Sequence, residues 1–226
     1  MAFPADSQPA PVEVRIPCGT VTLDGSLMIP AGANGIVIFA HGSGSGRYSP
    51  RNQFVARVIH QSGQGTLLFD LLTAEEERED NVTRRLRFEI DLLADRLSEV
   101  TRWLVGRPAA RTLGIGYFGS STGAGAALKA VTRTDQPIDA IVSRGGRPDL
   151  AGDVLPSIQS PTLLIVGGHD ETVLRLNEQA LAQLRCQKEL KIVPRATHLF
   201  EEPGALEVVA HAAAAWFRRH LRRHLE

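Results

Sequence analysis

Residues 112–123 read TLGIGYFGSSTG, and this stretch decides the fold. It begins as a nearly unbroken apolar run, which is typical of a β-strand buried on both faces of a sheet. It ends in Gly119-Ser120-Ser121-Thr122-Gly123, a G-x-S-x-G pattern, and the small residues that follow favour a helix. This order predicts a sharp strand–turn–helix junction with Ser121 exposed at its apex.

Similar apolar runs recur along the chain and alternate with stretches of helical periodicity. Two short runs, at 12–17 and 20–29, predict an N-terminal β-hairpin. Further strands are predicted at 35–40, 66–72, 112–118, 138–142, 161–167 and 190–193. Helices are predicted between and after them, at 51–62, 84–105, 121–133, 172–185 and 204–223. The alternation predicts the α/β fold class, with a mostly parallel central sheet and helices on both of its faces.

The composition is that of one globular domain and argues against several classes of partner. The chain has 226 residues, which fits a single domain over 12–226 after a flexible, proline-rich tail over 1–11. Lys plus Arg and Asp plus Glu both number 25, so the charge balance gives no reason to expect nucleic acid or an anionic membrane as partner. No apolar run approaches the ~18 residues that span a bilayer, and the N-terminus lacks the features of a signal peptide.

The two cysteines, Cys18 and Cys186, are too few for a disulfide framework or a four-ligand zinc site. They are expected to be reduced thiols. Together with the missing targeting signals, they predict a cytoplasmic protein. The sequence carries no signal for an oligomeric state.

Ser121 is the candidate nucleophile because its surroundings suit that chemistry. A sharp strand-to-helix turn crowds the backbone, and Gly119 and Gly123 lack the Cβ atoms that would clash there. The N-terminus of the following helix offers free N–H groups and the positive end of a dipole, which favour an oxyanion. The alternative interpretation is a Gly/Ser-rich turn that only packs the helix against the sheet.

A serine hydroxyl is a weak nucleophile at neutral pH and needs a base. At junctions of this kind the partners follow in the order serine, acid, histidine. Asp170 comes just after the strand at 161–167, and His198 follows the strand at 190–193. His198 is expected to take the Ser121 proton, and Asp170 to fix the histidine tautomer and stabilise the imidazolium.

Other residues compete for these two roles. Asp149 follows the strand at 138–142 and is the alternative acid. His41 follows a strand but precedes Ser121 in the chain, and His169 adjoins Asp170, where it would cap a loop. The remaining histidines are assigned to predicted helices: His60, His211, His220 and His224.

The loop after the strand at 35–40 reads HGSGSG over 41–46. Its glycines let the backbone turn its amides inward and approach a ligand closely. We therefore predict an oxyanion hole with two amide donors, one from Ser43 in this loop and one from Thr122. Gly42 is expected to contact the substrate. A merely flexible glycine loop is the alternative.

Two charged segments lie in loops near the same sheet edge. Arg144 and Arg147 follow the strand at 138–142, and a bidentate grip on a substrate carboxylate would give a preference for acidic esters. Arg144 is the substrate-binding candidate, and ion pairs with Asp149 or the acidic loop are the alternative. The acidic run at 75–80 is interpreted as a solvated loop or first helical turn, with a lid over the site as the other option.

Four motifs in this order resemble a known family: HGSGSGR (41–47), GSSTG (119–123), GGHDETV (167–173) and ATHLF (196–200). They look like the dienelactone-hydrolase-like group of the α/β-hydrolase superfamily, over about residues 12–223. The resemblance implies an α/β-hydrolase fold with no large cap domain. It also implies an ester or lactone hydrolase that works through an acyl-enzyme, with Ser121, Asp170 and His198 as its triad.

Two departures separate the chain from dienelactone hydrolase itself. That enzyme uses a cysteine nucleophile where this chain has serine, and its accessory glutamate has no counterpart in the loop at 41–47. The sequence therefore favours a general serine hydrolase of small carboxylic esters, thioesters or lactones, which needs no cofactor and no metal. The alternatives are a non-catalytic small-molecule binding module of the same fold and an acyltransferase that uses the same triad.

Overall fold

Eight strands form one continuous sheet in the computed structural model, which describes residues 10–224. They are β1 (Val12–Cys18), β2 (Val21–Met28), β3 (Gly35–Ala40), β4 (Gly65–Phe69), β5 (Gly114–Ser120), β6 (Ala140–Arg144), β7 (Thr162–Gly167) and β8 (Lys188–Val193). The order across the sheet is β1-β2-β4-β3-β5-β6-β7-β8. The pairs β1–β2 and β2–β4 are antiparallel, and the other neighbours are parallel. The predicted mostly parallel sheet with an N-terminal hairpin is confirmed. Of the predicted tail, residues 1–9 lie outside the described residues.

Helices cover both faces of this sheet. They are α1 (Pro50–Gln61), α2 (Ala74–Thr83), α3 (Ile90–Val105), α4 (Thr122–Ala130), α5 (Glu171–Gln183) and α6 (Ala205–His220). Alternate residues of β3 show the two-sided burial: Ile36 and Ile38 join the core under α3 and α4, and Val37 and Phe39 join the core under α1 and α6. This burial explains the unbroken apolar run. None of the helices in residues 10–224 has both the length and the apolar character needed to cross a membrane.

The acidic run at 75–80, interpreted from the sequence as a solvated loop or first helical turn, supplies the first turn of the regular helix α2 and continues beyond it. Apart from Ala74 and the exposed Val82, all residues of α2 are polar, so hydrophobic periodicity does not reveal the helix. A capping box begins the helix: the Thr73 hydroxyl accepts from the Glu76 amide, and the Glu76 carboxylate accepts from the Thr73 amide. Arg84 ends it in the left-handed conformation, with φ 56°.

Three further differences from the predicted elements have local causes. The helix predicted over 84–105 begins only at Ile90, because the left-handed turn after α2 and a 3₁₀ turn at Leu86–Phe88 come first. A 3₁₀ segment at Pro148–Ser157 was not predicted; it is short and irregular, with Pro156 inside it and a break in its helical backbone at Gly152, where φ is 67°. His224 lies beyond the end of α6 rather than on a helix, and it hydrogen-bonds to Asp139 at 3.0 Å.

The two edges of the sheet are formed by β1 and β8. On β8 the side chains of Lys188, Glu189 and Ile192 are exposed, and only Val193 is buried. Strand β8 is therefore the most polar strand of the parallel part of the sheet, although its end still delivers the chain to the loop that carries His198.

The junction between β5 and α4 is packed too closely for side chains at two positions. A Cβ on Gly119 would lie 2.4 Å from the Cα of Ala124, and a Cβ on Gly123 would lie 2.3 Å from the carbonyl oxygen of Ala40. Both contacts are with backbone atoms, which cannot move aside without shifting α4 or β3. The two glycines therefore set how closely α4 approaches the sheet. This close approach places Ser121 directly after the C-terminal end of the central strand β5.

We expect Gly123→Ala to lower the free energy of unfolding by about 1–3 kcal/mol or more, because overpacking against backbone forces the surrounding elements apart. Urea unfolding followed by circular dichroism measures this change. Gly106→Ala is a matched control, since Gly106 has φ −67° and a Cβ there would meet nothing closer than 3.5 Å. The control should leave stability unchanged or raise it by about 0.4–1 kcal/mol. Equal losses in both variants would contradict the close-packing argument.

Candidate active site

Ser121 lies at the apex of the β5–α4 turn in a strained backbone conformation. Its φ is 49° and its ψ is −121°, a region that residues other than glycine rarely adopt. Two backbone hydrogen bonds hold it there. The Ser121 amide donates to the Arg144 carbonyl oxygen at 3.2 Å, and the Ser121 carbonyl oxygen accepts from the Arg147 amide at 3.0 Å. The end of β6 thus fixes the direction in which the Ser121 side chain points.

Three side chains from distant parts of the chain meet at this edge. The Ser121 hydroxyl donates to His198 Nε2 over 3.3 Å, and His198 Nδ1 donates to Asp170 Oδ2 over 2.6 Å. These partners assign the histidine proton to Nδ1 and leave Nε2 as the acceptor. The Asp170 side chain is 14% exposed and that of His198 is 39% exposed, so the ring remains reachable from solvent. The structure brings together the three residues predicted as nucleophile, acid and base.

Local hydrogen bonds shape the two loops that carry the acid and the histidine. Next to His198, the Thr197 amide and hydroxyl both donate to Glu202 Oε1, at 3.0 and 2.6 Å. The Asp170 amide donates to the Gly167 carbonyl oxygen at 3.0 Å, which turns the chain directly after β7. Local hydrogen bonds therefore hold both the loop that carries Asp170 and the loop that carries His198.

The two predicted oxyanion residues lie together, but their contact runs through the Thr122 side chain. The Ser43 amide donates to Thr122 Oγ1 at 3.1 Å, and the two hydroxyls are 3.0 Å apart. The Ser43 amide is therefore engaged rather than open. Thr122 is the first residue of α4, so its own amide has no partner within the helix. Gly42 lies against the nucleophile, since a Cβ there would be 3.1 Å from the Cβ of Ser121.

His41 is excluded as the alternative base because both of its ring nitrogens are engaged. Nδ1 donates to the Gly42 carbonyl oxygen at 2.9 Å, and Nε2 accepts from the Leu71 amide at 2.9 Å. The ring is buried, and burial lowers its pKa, which keeps it neutral. His41 instead ties the loop after β3 to the loop after β4.

Asp149 and His169, the other residues considered for the triad, make contacts outside it. Asp149, the alternative acid, accepts three N–H···O contacts from Arg147 at 2.7 to 3.1 Å. This is the ion pair that was the alternative interpretation of Arg147. Arg144 makes no such pair and is buried, with 8% exposure. The amide of His169 donates to the Ala196 carbonyl oxygen at 2.9 Å, so its backbone braces the loop before His198.

A shallow open cleft lies beside the contact between Ser43 and Thr122. Gly42 and both oxyanion candidates line it, whereas Arg144 does not. The rest of the lining comes from the loop after β3, the end of β4, α2 and α3, and includes Asp70, Leu72, Glu77, Asp80, Arg87 and Leu93. Over residues 10–224, no group of three or more His, Cys, Asp and Glu side chains is arranged to hold a metal ion.

Two ion pairs fasten α2 as one wall of this cleft. Arg96 donates to the Glu76 carboxylate at 2.6 and 2.8 Å and to the Leu71 carbonyl oxygen at 2.7 Å. Toward the other end of the helix, Arg87 Nε donates to Asp80 Oδ2 at 2.6 Å. Arg87 and Arg96 could not be singled out from the sequence. A polar helix has no hydrophobic periodicity, so the pattern of residues does not indicate which arginines anchor it.

Comparisons with known proteins agree with this architecture. No family model matches the chain. The chain is similar to the crystal structure of a dienelactone hydrolase from Anabaena variabilis, with 57% identity and a TM-score of 0.93, over 95% of this chain and 100% of that one. Est1E from Butyrivibrio proteoclasticus, at 16% identity and TM-score 0.73, covers 92% of this chain and 98% of its own. An esterase from Pyrococcus furiosus, at 18% identity and TM-score 0.72, covers 93% and 91%.

The fold and the relative at 57% identity define the class as hydrolases with the α/β-hydrolase fold. Within that class, the chain belongs to the dienelactone-hydrolase-like family. Two curated proteins from Mycobacterium tuberculosis are each 55% identical over 209 residues, which is 92% of this chain and 46% of each relative. The chain therefore spans about half the length of the curated relatives it matches. Both relatives carry a provisional name as phosphoribosyl transferases.

The anchoring of α2 predicts an acid-sensitive contribution to stability. Burial alone would raise the pKa of Glu76, but hydrogen bonds from Arg96 and from the Thr73 amide outweigh it and hold that pKa below the usual 4.5. The pair therefore contributes fully above about pH 4.5 and is lost as the pH falls through the lowered pKa. Glu76→Gln should give a shallower fall in melting temperature between about pH 5 and 3.

Glu75→Gln is the matched control for this experiment, because Glu75 is an exposed neighbour in the first turn of the same helix. It should reproduce the acid profile of the wild type. An unchanged profile in Glu76→Gln would show that the Glu76–Arg96 pair does not contribute to the acid sensitivity.

Proposed function

We propose that this chain cleaves a small carboxylic ester, thioester or lactone through an acyl-enzyme intermediate. The observation that carries the proposal is the hydrogen-bonded line from the Ser121 hydroxyl through His198 to Asp170. A hydroxyl, an imidazole and a partly buried carboxylate in that order form the arrangement that activates serine for acyl transfer. Membership of a hydrolase family supports the same reaction class.

In the first half of the reaction, the Ser121 oxygen attacks the carbonyl carbon while His198 Nε2 takes the hydroxyl proton. Asp170 accepts from Nδ1 and stabilises the imidazolium that forms. The tetrahedral intermediate then collapses and its bond to the leaving oxygen or sulfur breaks, as His198 returns the proton to that atom. A lactone opens at this bond, so its leaving hydroxyl stays attached to the acyl group.

The negative charge on the tetrahedral intermediate needs donors that are fixed in advance. We assign this role to the amides of Thr122 and Ser43, helped by the positive end of α4. The Thr122 hydroxyl accepts from the Ser43 amide at 3.1 Å and so holds that amide in place, and the oxyanion joins the hydroxyl as a second acceptor. Gly42 has no side chain beside Ser121, and we assign it to the surface that the substrate contacts.

Water completes the cycle in the second half. His198 takes a proton from water, the water oxygen attacks the acyl carbon, and the Ser121 oxygen leaves with the proton from His198. Acyl transfer to another acceptor would use the same residues with a different attacking group. We also propose a cytoplasmic setting, because Cys18 and Cys186 are both free, as is usual where thiols are kept reduced.

The proposed substrate class rests on the nucleophile rather than on the names of relatives. Serine in place of cysteine favours a general carboxylic ester hydrolase over a dienelactone hydrolase. The phosphoribosyl transfer named for the two Mycobacterium tuberculosis relatives belongs to chains more than twice as long as the matched part. We do not assign it to this chain, because the residues around Ser121 are arranged for acyl transfer.

Ser121→Ala is expected to abolish labelling by a fluorophosphonate probe and to lower kcat/KM for p-nitrophenyl esters on the order of 10⁴–10⁶-fold. A probe assay on gels and steady-state hydrolysis measure the two effects. Ser120→Ala is a matched control from the same motif, since the buried Ser120 hydroxyl contacts Asn52 at 3.4 Å instead of His198. The control should keep labelling and most activity. If the folded wild-type protein is not labelled, the alternative interpretation as a non-catalytic small-molecule binding module is favoured.

Thr122→Val tests the oxyanion loop, because it removes the hydroxyl that holds the Ser43 amide and leaves the backbone amide in place. One oxyanion donor is worth about 10²–10³ in rate, so we expect kcat to fall about 10- to 100-fold with little change in KM. Thr122→Ser keeps the hydroxyl and should stay close to wild type. If Thr122→Val keeps the wild-type kcat, the Thr122 hydroxyl is not needed to position the Ser43 amide.

A further inference from the structure

Arg144 carries a buried positive charge that no acidic side chain neutralises within residues 10–224. It is the last residue of β6 and is 8% exposed. Its Nε and Nη1 atoms are buried and have no hydrogen-bond partner, which leaves Nη2 as the nitrogen that reaches solvent. The face of the Phe200 ring lies 5.9 Å from the guanidinium carbon. Burial, and then the like charge of Arg51, lower the pKa of Arg144 to about 10, so the group stays charged at neutral pH.

Other arginines near this edge of the sheet are paired, which makes Arg144 stand apart. Arg147 is bonded to Asp149, and Arg96 makes two bonds to Glu76. A buried charge without a partner costs several kcal/mol, so native proteins pair such groups or give them a ligand. The Phe200 ring offers a weak cation–π contact but no acceptor for the N–H groups.

A second arginine adds to the positive charge at the same place. Arg51 is the second residue of α1, and its Nε is also buried without a partner. Its Nη1 donates to Glu201 at 3.2 Å, but the Glu201 side chain is 64% exposed, so this pair is screened by solvent. The N-terminus of α1 contributes a further partial positive charge. The Arg51 charge is near enough to Arg144 to lower its pKa, and Glu201 is the acidic side chain that the structure pairs with Arg51.

We propose that Arg51 and Arg144 form a binding site for one compact anion, such as a carboxylate, a phosphate or a halide. The site lies between the N-terminus of α1, the end of β6 and the loop that carries Phe200. Neither arginine lines the cleft beside Ser43 and Thr122, but Arg51 lines a second cleft that also includes Ser43. The anion accepts hydrogen bonds from the guanidinium groups and neutralises their charge. It is either a free ion or an acidic group of a substrate, and the site itself does not depend on the proposed hydrolysis.

The experiment measures melting temperature against the concentration of sodium phosphate, sodium formate and sodium chloride. Ionic strength is held constant with the sodium salt of a bulky sulfonate. We expect at least one compact anion to raise the melting temperature of the wild type saturably, by roughly 5–10 °C at 100 times its Kd. Isothermal titration calorimetry with the same anion should give a matching Kd.

Variants separate this site from general salt effects. Arg144→Met should lose the saturable rise, and without anion it should melt at or above the wild type because an unpaired buried charge is gone. Arg51→Gln should keep the fold and weaken anion binding at least tenfold. Arg147→Met is the matched control, since Arg147 is already paired with Asp149, and it should keep the full rise. The absence of any saturable rise in the wild type, or the same rise in Arg144→Met, would overturn the proposal.

Kinetics then distinguish the two sources of the anion. If the site holds an acidic group of the substrate, the anion will compete with a p-nitrophenyl ester that carries a terminal carboxylate and will not affect p-nitrophenyl acetate. If it holds a free ion, neither ester will compete. Both results support the site and assign its occupant. Because melting needs no turnover, Ser121→Ala should show the same anion response, so the test stands even if the proposed hydrolysis fails.

Discussion

The backbone of α4 has to approach the ends of β3 and β5 with no side chains between them, and the site is built on that close contact. Gly123 allows the approach to the Ala40 carbonyl oxygen, and Gly119 allows the turn onto Ala124. Ser121 lies between the two glycines with φ 49°, a strained value that costs about 1–3 kcal/mol. Hydrogen bonds to the end of β6 offset that strain. The nucleophile candidate is thus held by neighbouring strands rather than by its own flexible loop.

The parts of the molecule that obey a simple burial rule could be predicted from the sequence. Strands such as β3 are apolar because both faces are covered, and the loops that follow them bring Ser121, Asp170 and His198 to one edge. Their distances in the structure match that expectation. The parts that rest on polar contacts could not be predicted. Helix α2 has no apolar face, and the engagement of the Ser43 amide by the Thr122 hydroxyl leaves no trace in the pattern of residues.

The site therefore combines two kinds of support. Ser121 and Asp170 follow closely on buried strands, β5 and β7, whereas His198 follows the partly exposed edge strand β8 and depends on hydrogen bonds within its own loop. The wall of the cleft formed by α2 stands on ion pairs and a capping box, which depend on the charge of Glu76 and Asp80. Changes of sequence in α2 can therefore alter the cleft without disturbing the line from Ser121 to Asp170.

Strand β8 has a consequence for how separate molecules meet. Within residues 10–224 no strand pairs with its outer side, so its backbone N–H and C=O groups are open to pairing with another chain. Lys188 and Glu189 project from this strand into solvent, and Lys191 is only partly covered. Pairing of two β8 edges from separate molecules would require these charges to lose part of their hydration. This cost opposes the pairing. We therefore expect the charged side chains of β8 to oppose edge-to-edge association when the protein is concentrated.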